Sequence, residues 1–360
     1  MRPPSELLRQ ILAAGIRAPS AENVHYLRFQ VLDHRVRLLA TDHASWAEHP
    51  HRRMLALMSY GAVIENMALR STALGFTLAP TLRQHTHEPE VFADLEWSAS
   101  AAAPDPLNDE IESRHTNRRF FRRAAVPDQA LQLLTAAANE VSGAKLLWLD
   151  DTVRRGLALK AIRIAETERF RQRALHAELF GAVRFDLGWS ESCEEWLPPA
   201  ALQVEPPMRM PFAALRHWRV MRIANGLGIH HALGLRAGYL PCALAPHIGL
   251  IVASSVAGDA ENLQAGRAFQ RVWLAAESLG LALQPMAAAT VLVCQTPGSG
   301  WVSAGVKIEL QRLLSALCAA SPTQVAPATK SAQPYMLFRL GRSAAPSVVT
   351  GRRPVSDYIG

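Results

Sequence analysis

Apolar residues recur at helical spacing in two stretches of the chain that end in the same way. GAVIENMALRSTALGFTLAP (61–80) and GRAFQRVWLAAESLGLALQP (266–285) both open on Gly. Both reach a Leu-Gly pair 13 and 14 residues later and Pro five residues after that. The spacing between predicts a helix, the Leu-Gly predicts its C-cap, and the run into Pro predicts a short strand. The offset is constant at 205 residues. Upstream, 7–31 predicts a helix, a loop at 18–23 and a strand through Phe29 and Val31. Residues 130–149 predict a helix, a shorter loop near Ser142 and Gly143, and a strand from Leu146 to Leu149. Two more strands are expected at 248–254 and 335–340. The order helix, loop, strand, helix, Leu-Gly, strand thus occurs twice. Alternating helix and strand predict an α+β or α/β class. The repeat predicts two halves, 1–107 and 108–360, joined by a small Pro-containing link at 99–108. They would pack about an approximate twofold axis as an intramolecular pseudo-dimer.

Composition narrows this. The chain has 360 residues, 49% hydrophobic and 19% charged, enough for a large core and too apolar for a disordered chain. The four cysteines (Cys193, Cys242, Cys294, Cys318) form no C-x-x-C pair, which excludes a zinc ribbon and favours a reducing, cytoplasmic setting. The start of the chain shows no apolar run of the secretory kind. The net charge of +7 comes from 38 basic residues of which only four are lysine, dispersed rather than striped, so nucleic acid is not an expected partner. A charge-free run at 237–258 contains Pro241, Pro246 and His247. It predicts a short helix or loop and then a buried strand rather than a membrane span. No membrane partner is expected.

The candidate chemistry lies in four places. Ile111 to Arg123 (IESRHTNRRFFRR) packs five arginines, Arg114, Arg118, Arg119, Arg122 and Arg123, around His115, Thr116 and Asn117. Arginine forks suit phosphate oxygens, and Arg114 and Arg118 would share a face on a helical turn. A solvated helix face is the competing reading. The loop Ala18-Pro19-Ser20-Ala21-Glu22-Asn23 presents backbone N–H groups and short polar side chains, or simply connects a helix to a strand. Gln284-Pro285-Met286-Ala287-Ala288-Ala289 allows a flat ligand to approach the backbone, or packs in the core. Arg352-Arg353 follows the last expected strand. His49-Pro50-His51 and His85-Thr86-His87-Glu88 have metal-ligand residue types without helical pairing and read as solvated loops. Gly226-Leu227-Gly228 has no strand before it and is no dinucleotide fingerprint.

Together the four elements resemble the nitroreductase family of FMN-dependent flavoproteins. Arg114-His115-Thr116-Asn117-Arg118 is similar to the family's R-x-S/T-x-R/K pattern, which grips the flavin phosphate, ribityl chain and pyrimidine edge. Pro19, Ser20, Ala21 and Asn23 stand in its A-P-S-x-x-N loop, although His25-Tyr26-Leu27 replaces the Q-P-W that usually follows. Gly280 to Ala288 resembles G-L-x-x-x-P-I-E-G, with Pro285 and Met286 kept and Ala287-Ala288 in place of Glu-Gly. Arg352 and Arg353 match the C-terminal basic residues on the phosphate. Each half keeps only part of the set, so the resemblance is to the double-length, Acg-like branch. It implies a nitroreductase-like fold, one complete FMN site between the halves and NAD(P)H as transient electron donor. It also implies a small-molecule electron acceptor and no protein nucleophile. The assembly would be a pseudo-dimeric monomer or a homodimer. Residues 196–245, rich in Pro, Met, Arg and aromatics, would form a lid or a peripheral insertion. A closed lid would make FMN storage or sequestration the alternative to turnover. A basic nucleic-acid-binding protein using 114–123 is a further alternative, without the aromatics expected of one.

Overall fold

The computed structural model describes residues 2–83, 88–253, 258–295, 300–319 and 332–360. Its first half runs α1 (Ser5–Ile16), β1 (Leu27–Val31), β2 (Val36–Ala40), α2 (Pro50–Ala73), β3 (Phe76–Leu82) and β4 (Val91–Ala99). The second runs α3 (Asp128–Asn139), β5 (Ala144–Trp148) and then six helices. These are α4 (Thr152–Arg171), α5 (Arg173–Gly181), α6 (Arg209–Ala214), α7 (Trp218–Gly226), α8 (Ile229–Gly234) and α9 (Leu240–Leu244). After them come β6 (His247–Ala253), α10 (Asp259–Ser278), β7 (Ala282–Pro285), α11 (Ala288–Val293), α12 (Ala304–Ala319) and β8 (Gln333–Gly341).

Both sheets are four-stranded and antiparallel. Their orders, β1-β2-β4-β3 and β5-β6-β8-β7, are the same order twice. The fold is α+β with a repeated half. What differs is inserted. Where the first half turns tightly from β1 to β2, the second places α4–α9 between β5 and β6. Between β3 and β4 the first half has no helix among the described residues, whereas between β7 and β8 the second adds α11 and α12. Burial explains the strand readings: every residue of β6 is buried, as a central strand covered on both faces requires.

The long helices α2 and α10 pack side by side and join the halves. Both end in the predicted manner, with Gly75 at φ 80° and Gly280 at φ 63° beyond the last turn. A Cβ on Gly61 would collide with the Leu263 carbonyl, and one on Gly266 with the Met58 carbonyl. Those pairs exchange under the 205-residue offset, so the two backbones touch symmetrically at the pseudo-axis. Polar contacts ring the crossing. Glu65, 2% exposed, accepts from Arg267 Nε and Arg271 Nη1, both at 2.8 Å. Gln270 Nε2 donates to Asn66 Oδ1 at 2.7 Å, and Asn66 Nδ2 to the Ala14 carbonyl at 2.9 Å.

Each half also sends a tail over the other. The link after β4 places Arg271 on Asp105 and runs to Arg122, whose N–H donates to the Arg342 carbonyl. The tail after β8 returns to the first half, where Ile359 bridges Phe29 in parallel. All four cysteines are free. Among the described residues no helix is long and apolar enough to cross a membrane. The 237–258 run contributes a π-helical turn (Leu235–Tyr239), α9 and β6.

Candidate functional site

The two crossing tails meet the α1–β1 loop at a cavity of about 1240 Å³ between the halves. Pro19, Ser20, Ala21 and Asn23 line it from the first half. Arg114, Thr116, Arg118, Pro285, Met286, Ala287, Ala288 and Arg352 line it from the second. Asn117 and Arg353 do not. Asn117 is buried and structural: its N–H donates to the Leu283 carbonyl and its Nδ2 to the Ala344 carbonyl. Arg353 is 43% exposed and pairs with Asp357.

Residues 114–118 form neither a helical turn nor a strand. Arg114 N–H still donates to the Glu110 carbonyl four residues back, but Asn117 N–H goes to Leu283 and, further on, Arg122 N–H to Arg342, both beside the β7–β8 pair. Arg114 is 9% exposed. Its guanidinium lies 4.5 Å from the Trp273 ring centroid, and Nη2 donates to the Arg17 carbonyl at 3.0 Å. Arg352 donates from Nε to the Ile16 carbonyl at 3.0 Å and from Nη2 to the Ala18 carbonyl at 2.8 Å. The two guanidiniums therefore bracket the C-terminal end of α1, where helix carbonyls lack intrahelical donors and attract cations. Arg118 lies elsewhere on the wall, with Nη1 donating to the Ala201 carbonyl at 3.3 Å.

None of Arg114, Arg118 and Arg352 pairs with a carboxylate among the described residues. Burial, then the neighbouring Arg352, pulls Arg114 down to about 9. Burial, then Arg169, pulls Arg118 to about 10, and burial, then Arg17, does the same to Arg352. All remain charged at neutral pH. Arg114 Nε and Ser20 Oγ are buried with no hydrogen-bond partner. One buried and two half-buried cations and two orphaned polar atoms in one cavity match a polyoxygenated anion.

The loop is clamped from behind. His25, 6% exposed, donates from Nε2 to the Ile16 carbonyl at 2.9 Å, which assigns its tautomer. Burial holds its pKa down at about 3, so it is neutral. Ser59 Oγ donates to the Pro19 carbonyl at 3.1 Å. Glu22 and Asn23 both sit in the left-handed region, at φ 56° and 63°, which side-chain-bearing residues adopt at a cost. Asn23 Nδ2 donates across to the Glu194 and Gly351 carbonyls, at 3.3 and 3.4 Å.

Sequence reading passed over several wall residues. Glu22 enters the cavity near Glu178, Arg52 and Arg169, and burial, then Glu178, pushes it up to about 7. Gln284 Oε1 accepts from Arg339 Nε at 2.7 Å. Arg339 is fully buried, stacked 3.8 Å from the Phe121 centroid, with Nη2 donating to the Arg119 carbonyl at 2.7 Å. It fixes both Gln284 and the arginine segment from below. No local pattern marks such a residue, because its partners are distant in sequence. The α4–α9 insertion walls the cavity with Phe170, Phe180, Met208, Phe212 and Leu215, so the wall begins earlier than residue 196.

The histidine pairs are not solvated loops throughout. His51 is 2% exposed in the first turn of α2, 3.4 Å from Glu178, with its ring against Trp301. His85, Thr86 and His87 lie outside the described residues. No group of three or more His, Cys, Asp or Glu side chains could hold a metal among the described residues.

No protein-family model and no curated protein matches the sequence. Several solved structures are similar. A nitroreductase with bound FMN from Bacteroides fragilis is 13% identical, covering 67% of this chain and 89% of that one, at TM-score 0.35. An FMN-dependent nitroreductase from Mycobacterium smegmatis in complex with NADPH is 14% identical, covering 65% and 86%, at TM-score 0.33. A BluB-like flavoprotein from Clostridium difficile is 12% identical, covering 70% and 97%, at TM-score 0.38.

Proposed function

We propose that this chain binds one FMN in the cavity between its halves and acts as an oxidoreductase. NAD(P)H would be the electron donor and a small molecule the acceptor. The observation that carries the reading is the convergence of Arg114, buried, and Arg118 and Arg352, half-buried, on one large cavity, none with a carboxylate partner among the described residues. When bound, FMN would supply the hydride and electron transfer. Arg114 and Arg352 would hold the phosphate, their remaining N–H groups forming charge-assisted bonds to its oxygens. Arg118, removed from that pair, would face the pyrimidine edge, where a positive charge favours the reduced anion. The small side chains of Ala287 and Ala288 would let the ring plane approach the backbone. The insertion would exclude water with Phe170, Phe180, Phe212 and Leu215.

The same insertion supports a second reading, in which FMN is held with little turnover because these residues cover it. Titration of the protein with FMN, read by flavin fluorescence, separates the possibilities. One FMN per chain is expected. Arg114→Ala or Arg352→Ala should each weaken it about 10- to 100-fold, as loss of a hydrogen bond to a charged group does. Anaerobic NADPH should then bleach the bound flavin. Bound flavin that stays oxidised favours storage. No saturable binding overturns both readings.

A further inference from the structure

From Pro206 to Gly258 the sequence holds five arginines, Arg209, Arg216, Arg219, Arg222 and Arg236, and no aspartate or glutamate. Within this stretch α7 buries one face only. Trp218 and Met221 pack against Phe170 and Phe180, and Asn225 Nδ2 donates to the Phe170 carbonyl at 3.0 Å. At about 100° per residue, Ile223 lies at the centre of the opposite face. Val220 and Leu227 flank it on one side, Arg219 and Arg222 on the other. Ile223 is 70% and Leu227 82% exposed. Arg219 and Arg222 are exposed, and neither pairs with a carboxylate among the described residues. Upstream in the same insertion Met208 and Met210 are exposed as well. Two acidic neighbours are already engaged, Asp186 by Arg184 and Glu205 by Arg236.

We propose that the outer face of α7 docks on an anionic lipid bilayer. Val220, Ile223 and Leu227 would enter the boundary between headgroups and acyl chains, and Arg219 and Arg222 would meet the lipid phosphates. The charge pattern argues against a second copy: a twofold contact through this face would set arginines against arginines. It argues against nucleic acid too, because protruding aliphatic side chains gain nothing at a phosphate backbone and no stacking aromatic accompanies them. The absence of a spanning helix among the described residues does not bear on a surface contact of this kind. Ala224, the position next to Val220 around the helix, lines the cavity. Docking would therefore bring lipid beside the cavity's apolar wall. The proposal stands independently of the flavin reading.

The test is co-sedimentation of the full chain with phosphatidylcholine vesicles, with and without phosphatidylserine, at low and high salt. Binding is expected only with phosphatidylserine and should weaken as salt rises. Arg219→Gln with Arg222→Gln should lower affinity about 25-fold, at about five-fold per arginine near an anionic surface. Ile223→Glu with Leu227→Glu should abolish sedimentation. Both residues are exposed, so circular dichroism should be unchanged. No binding to phosphatidylserine vesicles at low salt, or binding that survives the double glutamate variant, overturns the proposal. So does a concentration-dependent dimer, seen by ultracentrifugation, that the glutamate variant dissolves.

Discussion

The two halves share a sheet order and a central helix, yet they treat the helix-to-strand connection before the sheet differently. In the second half, α3 reaches β5 through residues 140–143, and the one left-handed position there is Gly143, at φ 83°. In the first half, α1 reaches β1 through residues 17–26, and the left-handed positions are Glu22 and Asn23. The short connection uses the residue that adopts this conformation freely. The long one holds side chains in it, buries a histidine behind them and turns a carboxyl into the cavity. Strain is kept where a glycine would relieve it, and the strained loop is the one that lines the cavity. Symmetry fixes the core; departure from symmetry makes the cavity.

The strongest way to break this comparison is at the axis. Gly61 and Gly266 each face a carbonyl of the partner helix, so a side chain there meets backbone, not a rotamer that can swing away. Gly266→Val should cost about 3 kcal/mol or more, beyond the usual range for overpacking that side chains can absorb. Urea unfolding would measure it. Gly156→Ala provides the contrast: that glycine is exposed on α4, with nothing within 4 Å of an added Cβ. Alanine there should gain about 0.5–1 kcal/mol from helix propensity. Equal costs at the two glycines would mean that α2 and α10 do not touch as described.

Much of the symmetric part was legible in the sequence, because it rests on periodicity. The Leu-Gly endings, the long paired helices and six of the strands follow from apolar spacing and C-cap chemistry, whereas β2 and β4 were not expected. The asymmetric part was less so. Residues 114–118 read as a helical turn because charges four apart suggest one. Asn117 N–H instead reaches the Leu283 carbonyl, far along the chain. Arg339 reads as an ordinary strand residue, and only the fold brings Gln284, Phe121 and the Arg119 carbonyl around it. Contacts between residues far apart in the chain leave no local periodic trace.

A smaller effect tests the strained loop. Glu22 is pushed up to about 7 by burial and by Glu178. The folded state then holds the proton more tightly than the unfolded chain does. Between about pH 4.5 and pH 7 it binds more protons, and stability falls as pH rises. Glu22→Gln removes this term. Variant and wild type should match near pH 4.5 and diverge above it, the variant gaining roughly 2 kcal/mol above pH 7. Urea midpoints across this window would show it. A constant difference would place the Glu22 carboxyl in water and detach it from the cavity.

The smallest effect separates two adjacent arginines that the sequence does not distinguish. Arg352 points inward to the Ile16 and Ala18 carbonyls; Arg353 points outward, to Asp357 at 2.9 Å and Glu195 at 3.7 Å. In an extended tail neighbouring side chains face opposite ways, so the register of the tail decides which one reaches the cavity. That register is pinned beyond the pair by the Phe29–Ile359 bridge and by Arg28 donating to the Asp357 carbonyl. An exposed ion pair is worth about 0.2–1 kcal/mol, and this one lies outside the cavity. Arg353→Ala should therefore change FMN affinity less than about two-fold and leave the urea midpoint nearly unmoved. A ten-fold loss of FMN affinity would mean that the tail slides by one residue on binding. The two arginines would then exchange roles, and Arg353 rather than Arg352 would meet the phosphate.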